Sequence, residues 1–420
     1  MRTKASAFLA AVLAVGTCRA ADILFYRVTL QPDFAQRAIS GVTRIVVDPK
    51  REPTLRLPLH DLHVTSVDAD GAPLPYRIED GQLILTLSGA GPRELRIAYH
   101  GSPQEGLNFG PDYVNSAWQG CDWMLCDEDP GKKAPLALEL LLPPGYVSLA
   151  SGVPAGETRL TPGLVRHTWR EERPYSSYLY GFAAGKFRHV EESAGMIVLH
   201  YYGVADDSAL RRDFAPSAGM LAFLQEKAGV AMPHGAYRQL LIPGSEAQEL
   251  SAFSVIGTDE LDPMQADPKE DWAIVHEMAH QWWGNLLTCK SWPEFWLNEG
   301  ITTFMVAAYK EQHWGHDAYA HEMALQQKRY QVAIDAGYDK PLSYGGSYPS
   351  LKIRRAIQYA KGALFMDTLR RELGDYVFWN GLRRYTQTHA GGSVTSHDLQ
   401  AAMERAAGRK LDVPFGEWVY

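Results

Sequence analysis

Two histidines one helical turn apart constrain this chain more than any other feature. The stretch Trp272 to Gly300 reads WAIVHEMAHQWWGNLLTCKSWPEFWLNEG, with His276 and His280 four positions apart. On a helix that spacing puts both rings on one face. Imidazole nitrogens bind zinc at roughly 2.0–2.1 Å, so both can reach a single ion. Glu277 follows the first histidine, where a carboxylate can serve as general base toward a water. Glu299 arrives from a following helix as a third ligand and leaves one coordination position open, the mark of a catalytic site and not a structural one. Two satisfied core histidines on a buried helix are the competing reading.

The flanking residues weigh against that alternative. Eighteen residues separate His280 from Glu299, and the segments His280-Gln281-Trp282-Trp283-Gly284-Asn285 and Trp296-Leu297-Asn298-Glu299-Gly300 surround the motif. Together they resemble the M1 zinc aminopeptidases, the gluzincins whose signature is H-E-x-x-H, eighteen residues, then Glu. The resemblance implies His276, His280 and Glu299 as ligands of one zinc ion, and Glu277 as the base. It extends to Tyr359 in Tyr359-Ala360-Lys361-Gly362, sixty residues beyond Glu299. The family's tyrosine there stabilises the tetrahedral intermediate, and a phenol donor beside zinc can meet a developing oxyanion.

An enzyme that removes amino-terminal residues must also hold a free α-ammonium, and a fixed carboxylate does so. Glu249 aligns with the glutamate of the family's G-x-M-E-N segment. Here Glu246 stands for the glycine, Gln248 for the methionine and Leu250 for the asparagine. Glycine permits close backbone approach, so Glu246 alters the usual docking of substrate. Gln119 corresponds to a second amine contact from the amino-terminal domain. The altered loop keeps a zinc endopeptidase open as a rival, and a non-catalytic peptide-binding protein on the same scaffold is a further one.

At 420 residues the chain is long enough for two or three domains. Its net charge of −8, with no Lys/Arg block, argues against nucleic acid or an anionic membrane as partner. Arg2 and Lys4 followed by the apolar run Ala7 to Val15 read as a signal peptide over residues 1–20, too short to span a bilayer. The chain is expected to be exported to a bacterial periplasm or secreted. Cys18 is a candidate for lipidation, though Thr17 precedes it. Of the remaining cysteines, Cys121 and Cys126 could close a small loop, and Cys289 reads as a buried thiol.

The expected architecture is multidomain and mixes α and β. Residues 21–189 carry short strands between turn pairs such as Asp70-Gly71 and Asp80-Gly81, which suggests a β-sandwich or saddle-shaped sheet. Cys126-Asp127-Glu128-Asp129-Pro130 with Lys132-Lys133-Ala134, and Tyr178 to Phe187, resemble M1 amino-terminal domains. Residues 190–420 then form a mainly helical, thermolysin-like zinc domain. Family members commonly continue into a helical carboxy-terminal domain, and the resemblance here stops at Tyr420; an open cleft for longer peptides is the expectation. Within this half, Ser208 to Lys227 reads as one helix ending at Gly229. Asp267 reads as the cap of the zinc helix, which should end near Gly284. Ser291 opens the Glu299 helix, which runs to about Gln312, and Arg354 to Leu373 reads as a helix closed by Gly374. His313, His316 and His321 read as solvated histidines at a helix end.

Overall fold

Alternation of apolar and polar residues builds the first half of the chain. In the computed structural model, which describes residues 21–49, 54–116 and 120–420, the strand Lys133–Leu142 buries Ala134, Leu136, Leu138, Leu140 and Leu142. It lies parallel to Asp22–Asp33, which pairs antiparallel with Ala38–Asp48. These strands sit in the middle of an eight-stranded sheet, with three-stranded and four-stranded sheets around the same core. At Asp70-Gly71 and Asp80-Gly81 both residues have positive φ, the geometry that lets a two-residue hairpin turn follow the twist of its strands. A disulfide joins Cys121 to Cys126 across a Cα separation of 5.1 Å, and Cys289 is a buried free thiol. The expected leader over residues 1–20, Cys18 included, and Gln119 lie outside the described residues.

The second half begins with a five-stranded sheet. Its order is Arg188–Ala194, Ile197–Gly203, Ala236–Ile242, Phe253–Gly257 and Ala247–Gln248, with the three inner strands parallel. Helices cover one face and form a large apolar core. A smaller core of Tyr202, Leu240, Phe253 and Val255 with Tyr113, Leu149 and Phe187 joins the sheet to the first half. The resulting arrangement is a β-rich domain followed by a helical catalytic domain. No helix of the described residues is long and apolar enough to cross a membrane.

Four local expectations are corrected. The stretch Ser208 to Lys227 is two helices, Asp207–Asp213 and Ser217–Ala228, because Pro216 between them has no N–H to continue the first. Asp267 does not cap the zinc helix; its carboxylate accepts from the Lys269 N–H in a local turn, and the helix starts at Trp272. That helix ends at Ala279, five residues before Gly284. Finally, Arg354 to Leu373 is not uniform: a π-helical segment, Ala356–Lys361, is set between Leu351–Arg355 and Gly362–Leu373. Such widened turns occur mostly at functional sites, and this one carries Tyr359.

Candidate active site

The end of the zinc helix is fixed by two tryptophans that bond to distant parts of the chain. Trp282 donates its indole N–H to the Val230 carbonyl at 2.8 Å, and Trp283 donates to the Thr386 hydroxyl at 3.0 Å. His280 lies one residue past the helix and still bonds back to the His276 carbonyl. Its Nδ1 lies 3.0 Å from the Trp283 carbonyl, which makes it the protonated nitrogen and leaves the Nε2 lone pair free. Gly284 completes the turn at φ +134°; a Cβ there would come within 2.8 Å of His280 Nδ1 and displace the ring.

The partner helix Trp296–Trp314 brings Glu299 against these rings. Gly300, the next residue, meets Gly362 where the two helices cross, and a Cβ on Gly300 would lie 2.8 Å from the Gly362 Cα. Only this bare contact lets the Tyr359 segment approach the Glu299 helix so closely. The Tyr359 ring stacks on His276 with centroids 6.0 Å apart. Lys361 anchors the same segment through Asp339 and the Lys340 carbonyl, both at 2.7 Å.

The three ligand atoms form a nearly regular triangle. His276 Nε2 and His280 Nε2 are 3.1 Å apart, and each is 3.4 Å from Glu299 Oε2. A tetrahedral zinc with bonds of 2.0–2.1 Å has ligand–ligand edges of about 3.3–3.4 Å. All three residues are buried, and Glu299 Oε2 has no hydrogen-bond partner among the described residues. The residues therefore fit a zinc ion on geometry, donor type and an orphaned oxygen.

Electrostatics agree with that fit. Burial pushes Glu277 well above the usual carboxylate range, and the neighbouring Glu249 and Glu299 carboxylates add to the effect. Burial also raises Glu249. Burial alone would depress His280, yet the Glu299 carboxylate overrides it and holds the imidazole up at about 10. Burial likewise opposes ionisation of Glu299, but the His280 charge and the two imidazole contacts hold it down at about 2. Without an ion the cluster holds protons on Glu277 and His280, and a dication beside Glu299 would displace them. Burial raises the Tyr359 phenol well above its usual value, so it stays a hydrogen-bond donor.

Glu249 lies beside this triangle: its carboxylate, that of Glu277 and a ring nitrogen of His280 are within 4.8 Å of one another. Gln248 donates to it at 2.8 Å. The loop behind is held from two directions. From the turn that follows the zinc helix, Gln281 donates to the Leu250 carbonyl at 3.0 Å and accepts from the Ala252 N–H at 3.1 Å, and Asn285 donates to the same carbonyl. From the β half, Glu171 accepts from the Ser251 hydroxyl at 2.8 Å, and the Leu179 carbonyl accepts from the Ser251 N–H. This bracing keeps Ala252 in a left-handed conformation, φ +68°, which costs of order 1–3 kcal/mol in a non-glycine residue. Glu246 lines the cavity that holds the metal triangle and accepts a hydrogen bond from the Asn108 amide of the β half.

Sequence reasoning missed Gln281, Asn285, Glu171 and the Gly300–Gly362 contact. The first two stand in a quoted motif, and the glycines each follow a singled-out residue, so a signal was present. Glu171 carries none, because its partner is distant in the chain.

Two cavities meet at Glu249 and Tyr359. One, of about 910 Å³, holds the metal triangle together with Glu260, Arg329 and Arg355. The other, of about 610 Å³, lies on the far side of Glu249. Its walls are Tyr178, Trp292, Phe295, Tyr344, Tyr348 and Arg354.

Residues 251–418 match the family model described as Peptidase family M1 domain. Among curated relatives, "Probable aminopeptidase 2" of Sulfurisphaera tokodaii is 23% identical over 94% of this chain and 53% of its own length. "Aminopeptidase N" of Homo sapiens is 27% identical over 69% of this chain and 32% of its own length. The chain thus spans about half, or less, of these relatives. The M1 zinc metallopeptidase from Deinococcus radiodurans superposes with a TM-score of 0.78 at 21% identity, covering 96% of this chain and 94% of that one. Another structure of that Deinococcus protein, TM-score 0.79, carries a bound Tyr-Ser-Ala substrate.

Proposed function

With residues 251–418 a peptidase family M1 domain, we propose that this chain is a zinc aminopeptidase that removes single residues from the amino termini of peptides. The observation that carries the reading is Glu249, a carboxylate held within 4.8 Å of Glu277 and His280 beside a zinc-sized triangle. A zinc ion held by His276, His280 and Glu299 supplies Lewis acidity toward a peptide carbonyl and acidifies water. Glu277 takes the proton of the attacking water and returns it to the departing amine. Tyr359 donates its hydroxyl proton in a hydrogen bond to the oxyanion formed from the scissile carbonyl. Glu249 pairs with the α-ammonium and so sets the cut at the first peptide bond.

If the ammonium sits at Glu249 and the carbonyl at the triangle, the first side chain points into the 610 Å³ cavity and the rest of the peptide runs into the larger one. Aromatic walls favour a large planar side chain there. Arg354, stacked 5.1 Å over Phe295, disfavours a basic one. The Tyr-Ser-Ala substrate of the Deinococcus relative begins with such a side chain. The Cys121–Cys126 disulfide supports the reading of an exported, periplasmic or secreted enzyme.

Aminoacyl chromogenic substrates test the proposal. Phenylalanyl and tyrosyl substrates are expected to turn over fastest, with lysyl and arginyl substrates slower, and chelator should abolish all of it. Acetylating the substrate amine should stop cleavage; undiminished cleavage of acetylated peptides would instead establish an endopeptidase.

A further inference from the structure

A second His–His–Glu triangle, sharing no residue with the first, stands on the surface of the five-stranded sheet. Its ligands come from the hairpin formed by Arg188–Ala194 and Ile197–Gly203. His189 and Glu191 are two apart on the edge strand and so project from one face. His200 is the cross-strand partner of Glu191 and projects from the same face. His189 Nε2 and His200 Nδ1 are 3.1 Å apart, and Glu191 Oε1 is 3.3 Å from His200 and 3.6 Å from His189. The edges at the zinc triangle are 3.1, 3.4 and 3.4 Å. The two triangles share donor set and nearly share dimensions, and both approach the edge length of about 3.3–3.4 Å that tetrahedral zinc demands.

We propose that His189, Glu191 and His200 form a second site for a divalent cation of the zinc or copper class, separate from the catalytic triangle. Two imidazoles and one carboxylate are the donor chemistry those ions select. The rings are oriented for it without an ion. His189 stacks on Tyr202 with centroids 4.2 Å apart and planes 6° from parallel, and Tyr202 is itself packed in the seam between the two halves. One His–His contact can use only one N–H, so the other ring presents a lone pair to its neighbour. A cation shared by both nitrogens and Glu191 uses all three groups at once. Glu191 has no Lys or Arg side chain as an ion-pair partner among the described residues.

Arg238 sets the strength of the site. It is the neighbour of His200 on the next strand, stacks over Trp169 and donates to the Gly152 carbonyl. Burial first, and then its charge, hold His200 below the usual imidazole range, while for His189 burial dominates. A neighbouring positive charge and an exposed Glu191 make this the weaker of the two sites. Because all three ligands belong to one hairpin at the sheet edge, the ion would brace that edge and take no part in peptide cleavage.

The test is metal stoichiometry on the full chain. Metal is stripped with chelator, and the protein is dialysed to equilibrium against micromolar free zinc. About two ions per chain are expected for the wild type, and about one for His200→Ala and for Glu191→Gln. The Glu191 side chain is 58% exposed, so its replacement leaves the core intact. Peptidase activity at saturating zinc should be unchanged in both variants. In titrations with copper(II), the wild type should show two bound ions with nitrogen hyperfine coupling, and His200→Ala should lose the weaker of the two signals. A wild type that takes up one zinc, or a His200→Ala variant that keeps two, overturns the proposal.

Discussion

The zinc triangle and the hairpin triangle have the same three residue types and almost the same edges, yet their surroundings differ. His276, His280 and Glu299 are buried, the His280 ring is locked by a tryptophan carbonyl and a glycine turn, and the Glu249 and Glu277 carboxyl groups stand beside it. His189, Glu191 and His200 are partly exposed, oriented by one stacking ring, and face an arginine. Ligand geometry decides whether an ion fits; the second shell decides how tightly it is held and what it can do. Of the two, the buried triangle is the one with Glu277, Tyr359 and Glu249 beside it, the residues proposed as base, oxyanion donor and amine anchor.

The largest contrast should come from the base. Glu277→Gln is expected to keep zinc and lose about 10²–10⁴-fold in kcat, whereas His200→Ala leaves kcat unchanged; equal losses would dissolve the distinction between the sites. Tyr359→Phe should cost about 10²–10³-fold in kcat with both ions retained. Zinc content measured alongside the rate separates a lost oxyanion contact from a lost metal. Replacing Glu249 by Gln removes a charge-assisted contact worth roughly 1.5–3 kcal/mol, a loss of about 10–100-fold in kcat/KM on free-amine peptides. Acetylated peptides, already poor, should be unaffected, and a parallel loss on both substrates would deny Glu249 its role. Removing the stacking ring with Tyr202→Ala should weaken hairpin zinc by about tenfold, read by competition with a chelator dye, without touching the catalytic ion.

A further contrast is a pH dependence, and it belongs to the buried triangle. His280 rises from an ordinary 6.5 to about 10 in the metal-free chain. A raised imidazole contributes stability that is complete below 6.5 and lost as pH climbs through about 10. Zinc must expel that proton, so zinc affinity should increase across the same window. The gap in thermal midpoint between zinc-loaded and stripped protein should therefore widen from pH 6 to pH 9. A gap that narrows would mean that the proton on His280 is not what the metal displaces.

Much of this was legible in the residues. The helix carrying His276, the helix carrying Glu299 and the tyrosine beyond them were each marked by local spacing, and the strands of the first half by alternation. Local signals failed where a neighbour far along the chain decides. The zinc helix stops at Ala279 because Trp282, Trp283 and Gly284 are drawn off to Val230, Thr386 and a tight turn. The π-helical turn at Tyr359 follows a period of neither a plain helix nor a strand, so the helix-like spacing of Ile353, Ile357, Ala360 and Leu364 hides it. Glu246 reads from its position in a motif as altering substrate docking, and the partner that holds its carboxylate, Asn108, lies too far along the chain for any local signal to show. The hairpin triangle was invisible because a cross-strand register, and not a sequence interval, creates it.

The bond between Glu171 and Ser251 has a consequence for accuracy. The loop that bears Glu249 is fastened on one side to the metal helix and on the other to a strand of the β half. With Glu249 as the proposed ammonium anchor, counting one residue from a peptide's end would depend on two halves keeping their alignment, while the proposed hydrolytic groups themselves sit within one. Heat or mild denaturant that slackens the seam should produce an enzyme that still cuts but miscounts, releasing dipeptides before it stops cutting at all.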